Sequence, residues 1–279
     1  MTNTALITGS SAGLGFETAK GLLRLGFTVV LTGRDEVKLE SAAATLATEF
    51  GGERVAFIPL DLASLQSLPI FVTQLENLAP IDLLVLNAGA KIQSPMKLTE
   101  DGFEWHLGVN HLAHFALVAD VWHLLAPSAH VVSVASVVAR RGNLSGIFEP
   151  RSLEISPGQA YANSKLTNLA FALELDARAR KHGLGVRATA AHPGFARASA
   201  YGSRIVRFGE YLAAQSARSG AKPLVEAGFA DGGSYLGPRV FELWGSPKSA
   251  LVPAQAKQSA ERDRFWTESE RLTGRKLLS

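Results

Sequence analysis

Apolar and polar positions follow two rhythms along this chain, and the rhythms take turns. Short unbroken apolar runs suit strands buried on both faces. Longer segments with apolar residues three and four apart suit helices laid against a sheet. The first pair is Ala5–Ile7, followed by a segment in which Leu14, Ala19, Leu22 and Leu23 recur at helical spacing. Phe27–Thr32 predicts a second strand, and Glu36–Phe50 a helix stopped by Gly51-Gly52. Further strands are predicted at Arg54–Pro59, Leu83–Asn87, His130–Val134 and Val186–Ala191. Helices lie between them around Leu65–Leu78, over Phe103–Leu125, ended by Pro127, and over Tyr161–His182. From about Arg197 to Pro247 the pattern loosens; Ala250–Val252 is a candidate last strand and Gln255–Thr273 a closing helix. No repeat, low-complexity tract or linker interrupts the succession. It predicts one α/β domain over residues 1–279, a parallel sheet covered on both faces, with a substrate lid around 195–247.

Bulk composition narrows the function classes. Hydrophobic residues make up 47% and charged ones 19%, enough apolar material for a large core and too much for a disordered chain. The net charge is only +3 and the basic residues are scattered, which argues against a nucleic-acid partner. With no cysteine, disulfides, thiolate catalysis and cysteine-ligated metals are excluded. The N-terminus lacks the layout of a signal peptide, and no apolar run is long enough to span a bilayer. The expectation is a soluble cytoplasmic protein.

Chemistry gathers where strands end. After the first strand come Gly9, Gly13 and Gly15, opening a helix. Residues without side chains let a backbone approach a pyrophosphate, and unpaired N–H groups at a helix start attract its charge. At the end of the second strand Gly33 stands where an acid would hydrogen-bond an adenosine ribose, and Arg34 follows. An arginine here suits a 2′-phosphate, favouring NADPH over NADH; the competing reading is a solvated surface charge. Asp61-Leu62, past the third strand, suits an adenine contact or a helix cap. Asn87-Ala88-Gly89 ends the fourth strand in small residues that permit close approach of a cofactor. Tyr161 and Lys165 are four apart on one helix face, where an ammonium favours a phenolate. Ser136 follows the fifth strand, on the edge where open α/β sheets place ligands.

Together, Thr8-Gly9-Ser10-Ser11-Ala12-Gly13-Leu14-Gly15, Asn87-Ala88-Gly89, Asn110, Ser136, Tyr161-Ala162-Asn163-Ser164-Lys165 and His192-Pro193-Gly194 resemble the short-chain dehydrogenase/reductase family over nearly the whole chain. Val109–Phe115, Gln215–Ala221 and Ser269–Gly274 resemble the branch with retinol dehydrogenases and light-independent relatives of protochlorophyllide reductase. The resemblance implies a Rossmann-type doubly wound sheet of about seven strands in three α/β/α layers, an NAD(P)(H) cofactor, and hydride exchange with a carbonyl or alcohol. It makes Tyr161 the acid in reduction and the base in oxidation. Lys165 lowers its pKa and grips the nicotinamide ribose, Ser136 polarises the carbonyl, and Asn110 holds a water linking Lys165 to solvent. Thr8 through Gly15, Ser10, Ser11 and Leu14 included, cradle the pyrophosphate; Arg34 meets the 2′-phosphate, Asp61 and Leu62 the adenine, and Asn87 with Ala88 and Gly89 the adenosine ribose. Pro193 and Gly194 complete the cofactor set.

Two positions depart from the family pattern. Ala135 precedes Ser136 where a serine is frequent, leaving Ser133 as a rival that faces the other way from its strand neighbours. Ala198, with Ser199 next, stands where a threonine usually touches the nicotinamide amide. Around the expected reaction centre lie Ile92, Met96, Val138, Leu144, Phe148, Phe195, Tyr201, Ile205, Phe208 and Tyr211, a set that suits a hydrophobic small molecule or simply packs a lid. His106, His111, His114 and His123 lack a carboxylate to complete a metal site, so packing or solvent-facing roles are expected and no metal. The helices over 103–125 and 161–182 are candidates for pairing across a twofold axis, monomer and homo-oligomer both remaining open.

Overall fold

In the computed structural model, which describes residues 3–92, 95–145, 147–148, 154–195 and 215–278, the chain winds around one sheet. The strands are β1 (Thr4–Ile7), β2 (Thr28–Gly33), β3 (Val55–Pro59), β4 (Ile81–Leu86), β5 (Leu125–Val134), β6 (Arg187–Ala191), β7 (Tyr235–Val240) and β8 (Trp244–Ser249). Their order is β3-β2-β1-β4-β5-β6-β7-β8. All neighbours from β3 to β7 pair in parallel, giving the seven-stranded sheet expected, and β8 adds an antiparallel edge.

Period-two alternation explains both layers. Leu6, Val30, Leu84 and Val131 point into one apolar core, while Ala5, Ile7, Val29, Leu31 and Val85 point into the other. Helices α1 (Gly13–Arg24), α2 (Glu36–Phe50) and α6 (Ala217–Ala227) cover the second core. The first is covered by α3 (Leu68–Leu75), α4 (Ala113–Val121), α5 (Pro157–Lys181) and α7 (Ser259–Thr273). Because β1 and β4 are neighbours, the connections run outward in opposite directions from that pair. Open sheets of this kind form a crevice there, at the strands' carboxyl ends.

Several expectations are corrected. The long helix over 103–125 is instead a helical turn (Trp105–Leu107), a π-turn (Gly108–Leu112), α4 and a 3₁₀ turn (Trp122–Leu124). Residues 250–252 are not a strand. The chain between 215 and 247, included in the lid, is instead α6, β7 and most of β8, all integral to the fold. Pro223, Gly237 and Pro238 hid these elements. Gly237 is required because a side chain there would overlap the buried His192 ring. Residues 196–214 of that lid, with Ala198, Ser199, Tyr201, Ile205, Phe208 and Tyr211, lie outside the described residues. The faces proposed for twofold pairing are partly covered by α7: the Trp266 ring stacks on Phe171 at 5.6 Å and meets Phe115 edge-on at 5.1 Å.

Candidate active site

The glycine loop is built by contact, not by flexibility alone. Gly9 has φ +65°, and a side chain there would press on Ala88. A side chain at Gly15 would strike Gly9 O and the amide of Asn87. Asn87 Nδ2 donates to Thr8 O at 2.8 Å and Gly9 O at 3.0 Å, so this residue ties the glycine loop to the end of β4. Two expected contacts are corrected here. Ser10 is fully buried and committed to the sheet: its N–H donates to Thr32 O, its Oγ donates to Ile7 O at 2.8 Å and accepts from Thr32 N. Thr8 is equally buried; its Oγ1 accepts from Ala88 N at 2.9 Å and faces His114 Nε2 at 2.9 Å. Neither side chain reaches the crevice, and both shape the loop from behind.

A cavity of about 580 Å³ runs along the crevice. Arg34, Asp35 and Lys38 line it after β2, Asp61 and Leu62 after β3, and Gly89 to Ile92 after β4. Gly9, Ser11 and Ala88 line it as well. Asp35 caps α2 by accepting from Lys38 N at 3.1 Å and pairs with the Lys38 ammonium, which lowers its pKa. Asp61 Oδ1 accepts from Ala63 N at 2.9 Å, the capping role weighed for it, while the residue still faces the cavity. Lys38, Lys97 and Trp105 line this wall without having been anticipated; Lys97 Nζ sits 3.3 Å above the Trp105 ring.

Beside Gly89 the reactive side chains converge. Ser136 neighbours the Tyr161 hydroxyl closely enough to pull its pKa down, whereas Ser133 stays buried inside β5. Ser136 also accepts from Val138 N. Lys165, one turn beyond Tyr161, is buried, lies 5.9 Å from the Tyr161 ring centre and donates to Val134 O at 3.0 Å. Asn168 Nδ2 donates to the same carbonyl at 2.9 Å, an anchor findable as the next residue on the Tyr161–Lys165 face. Gly89 closes the floor: a methyl there would sit 3.2 Å from Lys165 Nζ and 3.3 Å from Asn110 Oδ1.

The expected electrostatics differ in sign. Burial raises the Tyr161 pKa and the neighbouring Ser136 hydroxyl lowers it, with burial dominant. Burial also brings Lys165 down to about 8. Desolvation of the group as a whole outweighs the pull of one ammonium. Asn110 sits in the π-turn, its Oδ1 accepting from Ala90 N and its Nδ2 donating to Ser164 Oγ at 2.9 Å and Ala90 O at 3.3 Å. Its carboxamide is therefore a clamp between the Asn87–Ala90 turn and α5.

His192-Pro193-Gly194 is fixed from below. His192 Nδ1 accepts from Gly194 N, so Nε2 carries the proton and donates to Glu242 at 3.2 Å. Gly194 has φ +67° and a side chain there would meet Leu243 O and Pro238. The apolar surround is thinner than expected, since Leu144 is buried and Phe148 stacks on Phe265 within the core. Ile92 and Phe195 remain exposed. His106 pairs with Glu104 at 2.7 Å, His111 with Ser269 at 2.8 Å and His114 with Thr8, so each of these rings is engaged by an internal hydrogen bond. No described helix is long and apolar enough to cross a membrane.

A crevice at a strand-order reversal, a glycine loop, and a tyrosine and lysine beside a serine define a dinucleotide-dependent oxidoreductase. The family model for short chain dehydrogenase matches residues 3–205. The chain is 36% identical to the polyprenol dehydrogenase of Mus musculus over 97% of its own length and 83% of that protein. It is 34% identical to retinol dehydrogenase 12 of Homo sapiens, over 96% and 85% respectively. The crystal structure of an uncharacterized protein from Mycobacterium Paratuberculosis superposes with a TM-score of 0.81 at 35% identity, covering 98% of this chain and 94% of that one. The chain belongs to the short-chain dehydrogenase family, in its retinol dehydrogenase-like branch, and is an oxidoreductase acting on alcohol or carbonyl groups with NAD(P)(H).

Proposed function

We propose that this protein is an NADPH-dependent reductase of a carbonyl on a hydrophobic or aromatic small molecule, reversible with the alcohol. The observation that carries the reading is Ser136 beside the Tyr161 hydroxyl with Lys165 one turn away, adjoining Gly89 of the cavity wall. The residues present fit a dinucleotide. The loop at Gly9 and Gly15 has no room for side chains, the cavity spans about 580 Å³, and Gly89 leaves the Lys165 ammonium uncovered by a methyl group. Gly9, Ser11, Gly13, Leu14 and Gly15 would hold its pyrophosphate; Asp61, Leu62, Ala88 and Gly89 its adenosine half, and Pro193 and Gly194 its nicotinamide side. When bound, the reduced cofactor supplies hydride to the carbonyl carbon.

The chain's own residues supply the rest. Ser136 holds the carbonyl oxygen against the Tyr161 hydroxyl, and Tyr161 donates its proton to that oxygen as negative charge develops. Lys165 stabilises the resulting phenolate and holds the ribose, while Asn110 keeps the Gly89-Ala90 turn in register with α5. Arg34, exposed on the cavity wall, selects the 2′-phosphate. The hydrophobic substrate class is supported by Ile92 and Phe195 at the mouth and by relatives whose names specify polyprenol and retinol. Titrating NADPH and NADH by fluorescence, then assaying lipophilic ketones and aldehydes beside small keto acids, tests the reading. Tight NADPH binding with turnover of the lipophilic set is expected; preference for NADH or for charged keto acids refutes it. Oxidative work on a lipophilic alcohol is the second reading, favoured by the dehydrogenase names of the relatives, and the ratio of forward to reverse rates separates the two.

A further inference from the structure

His114 lies behind the active site and touches neither end of the crevice, yet its two ring nitrogens join parts that must act together. Nδ1 is 3.0 Å from Asn110 O and Nε2 is 2.9 Å from Thr8 Oγ1. A carbonyl only accepts, so Nδ1 carries the proton. Burial and the nearby Lys165 charge lower the imidazole pKa to about 4, so the ring is neutral and Nε2 is bare. Nε2 must then accept from the Thr8 hydroxyl, whose other acceptor, Val85 O, is farther away at 3.4 Å. Thr8 Oγ1 in turn accepts from Ala88 N at 2.9 Å.

Every hydrogen in this chain of bonds has one direction: Ala88 N–H to Thr8, Thr8 O–H to His114, His114 Nδ1–H to Asn110 O. The chain continues through the Asn110 side chain, which donates to Ser164 Oγ, and Ser164 Oγ donates to Tyr161 O. It crosses from the glycine loop and the end of β4, through the π-turn, to the helix bearing Tyr161 and Lys165. All its members through Ser164 except Ala88 are buried.

We infer that His114 is a positioning residue for the proposed reaction, coupling the loop that holds the dinucleotide to Asn110 and thereby to the Tyr161–Lys165 helix. The inference rests on the functional reading above. Buried networks that are fully satisfied fix geometry, and removing one member leaves its neighbours without partners. A phenyl ring at 114 keeps the packing and removes both bonds. Asparagine can restore the bond to Asn110 O, and glutamine the bond to Thr8.

The test measures kcat, carbonyl KM and nicotinamide Kd for His114→Phe, Thr8→Val and the double variant. His114→Phe should lower kcat and weaken nicotinamide binding by about fivefold or more, the lower bound for one lost buried partner. Carbonyl KM should stay within about twofold, since His114 does not face the substrate. The double variant should be scarcely worse than either single one. Where the phenylalanine variant fails to fold, His114→Asn should retain kcat better than nicotinamide affinity, and His114→Gln the reverse. Nitrogen-15 spectra of the intact protein should find Nδ1 protonated and Nε2 bare at pH 6. Unchanged kcat and Kd, additive effects in the cycle, or the opposite tautomer would overturn the assignment. A wild-type protein that binds neither nicotinamide refutes the functional reading instead, and the tautomer still tests the network.

Discussion

Gly15→Ala isolates the contact on which the dinucleotide loop depends. The substitution adds one methyl group, in the first turn of α1, 2.5 Å from Asn87 Nδ2 and closer still to the backbone oxygen of Gly9. Neither neighbour is free to yield. Gly9 is held at φ +65° against Ala88, and Asn87 Nδ2 is bonded to Thr8 O and Gly9 O. Overpacking of this kind is worth about 1–3 kcal/mol, and displacing the Asn87 amide forfeits two bonds of about 1 kcal/mol each. Alanine's better helix propensity returns about 1 kcal/mol, leaving a net loss of about 2–4 kcal/mol. Gly158→Ala is the control, because Gly158 lies in the first turn of α5 with open space around it. That change should be neutral or stabilise by up to about 1 kcal/mol. Urea unfolding followed by tryptophan fluorescence, Trp266 being buried, reads both variants. A nicotinamide titration should show affinity lost in the Gly15 variant alone. Equal stabilities for the two variants would refute the argument that contact, not backbone freedom, selects glycine at position 15.

Three other outcomes follow from the same geometry. Tyr161→Phe removes the proton donor and should lower kcat by about 10²–10⁴-fold with nicotinamide affinity kept; full activity would end the proposed mechanism. Arg34→Asp should weaken NADPH by about tenfold or more and spare NADH, as loss of a charge-assisted hydrogen bond implies; unchanged NADPH affinity in a titration refutes the 2′-phosphate role. His111 and His114 have pKa values lowered from 6.5 to about 3 and about 4, burial being the main cause. The folded state thus binds fewer protons than the unfolded one below pH 6.5, and their stabilising contribution, complete above that pH, is lost as pH falls. Each is worth about 2 kcal/mol between pH 6.5 and 5 by the 1.36 kcal/mol per unit rule, and His111→Phe should flatten the slope of unfolding free energy with pH. A flat profile in the wild-type protein refutes the neutral assignment.

Much of this architecture was written locally. Apolar runs such as Ala5–Ile7, flanked by glycine and helical spacing, named six of the eight strands, because strands buried on both faces admit few other residues. The missed elements violate local rules for tertiary reasons. β7 contains Gly237 because the His192 ring leaves no room for a side chain, and Pro238 lies where its register with β8 shifts. The π-turn inside an apparently continuous helix starts at Gly108, where a side chain would overlap Thr99, a close approach that no periodicity reveals. At the site, residue identity was legible and its direction was not. Thr8 and Ser10 belong to the motif, yet their hydroxyls turn toward Ala88, His114 and Thr32. Motifs preserve residues that build a cradle as well as residues that line it, and sequence spacing cannot separate the two.

The sign of the Tyr161 shift carries this distinction into the chemistry. Four residues apart on a helix, a tyrosine and a lysine suggest a phenolate. Once both are buried, desolvation opposes charge on either, raising the phenol and lowering the ammonium to about 8. The chain without its dinucleotide therefore keeps Tyr161 protonated at neutral pH, which is the form that gives a proton to a carbonyl oxygen. Lys165, still cationic below its lowered pKa, meets the developing phenolate only as that proton leaves. Stabilisation that arises as charge appears, and not before, lowers the barrier without trapping the ground state. That protonated phenol is the state from which the proposed reduction starts.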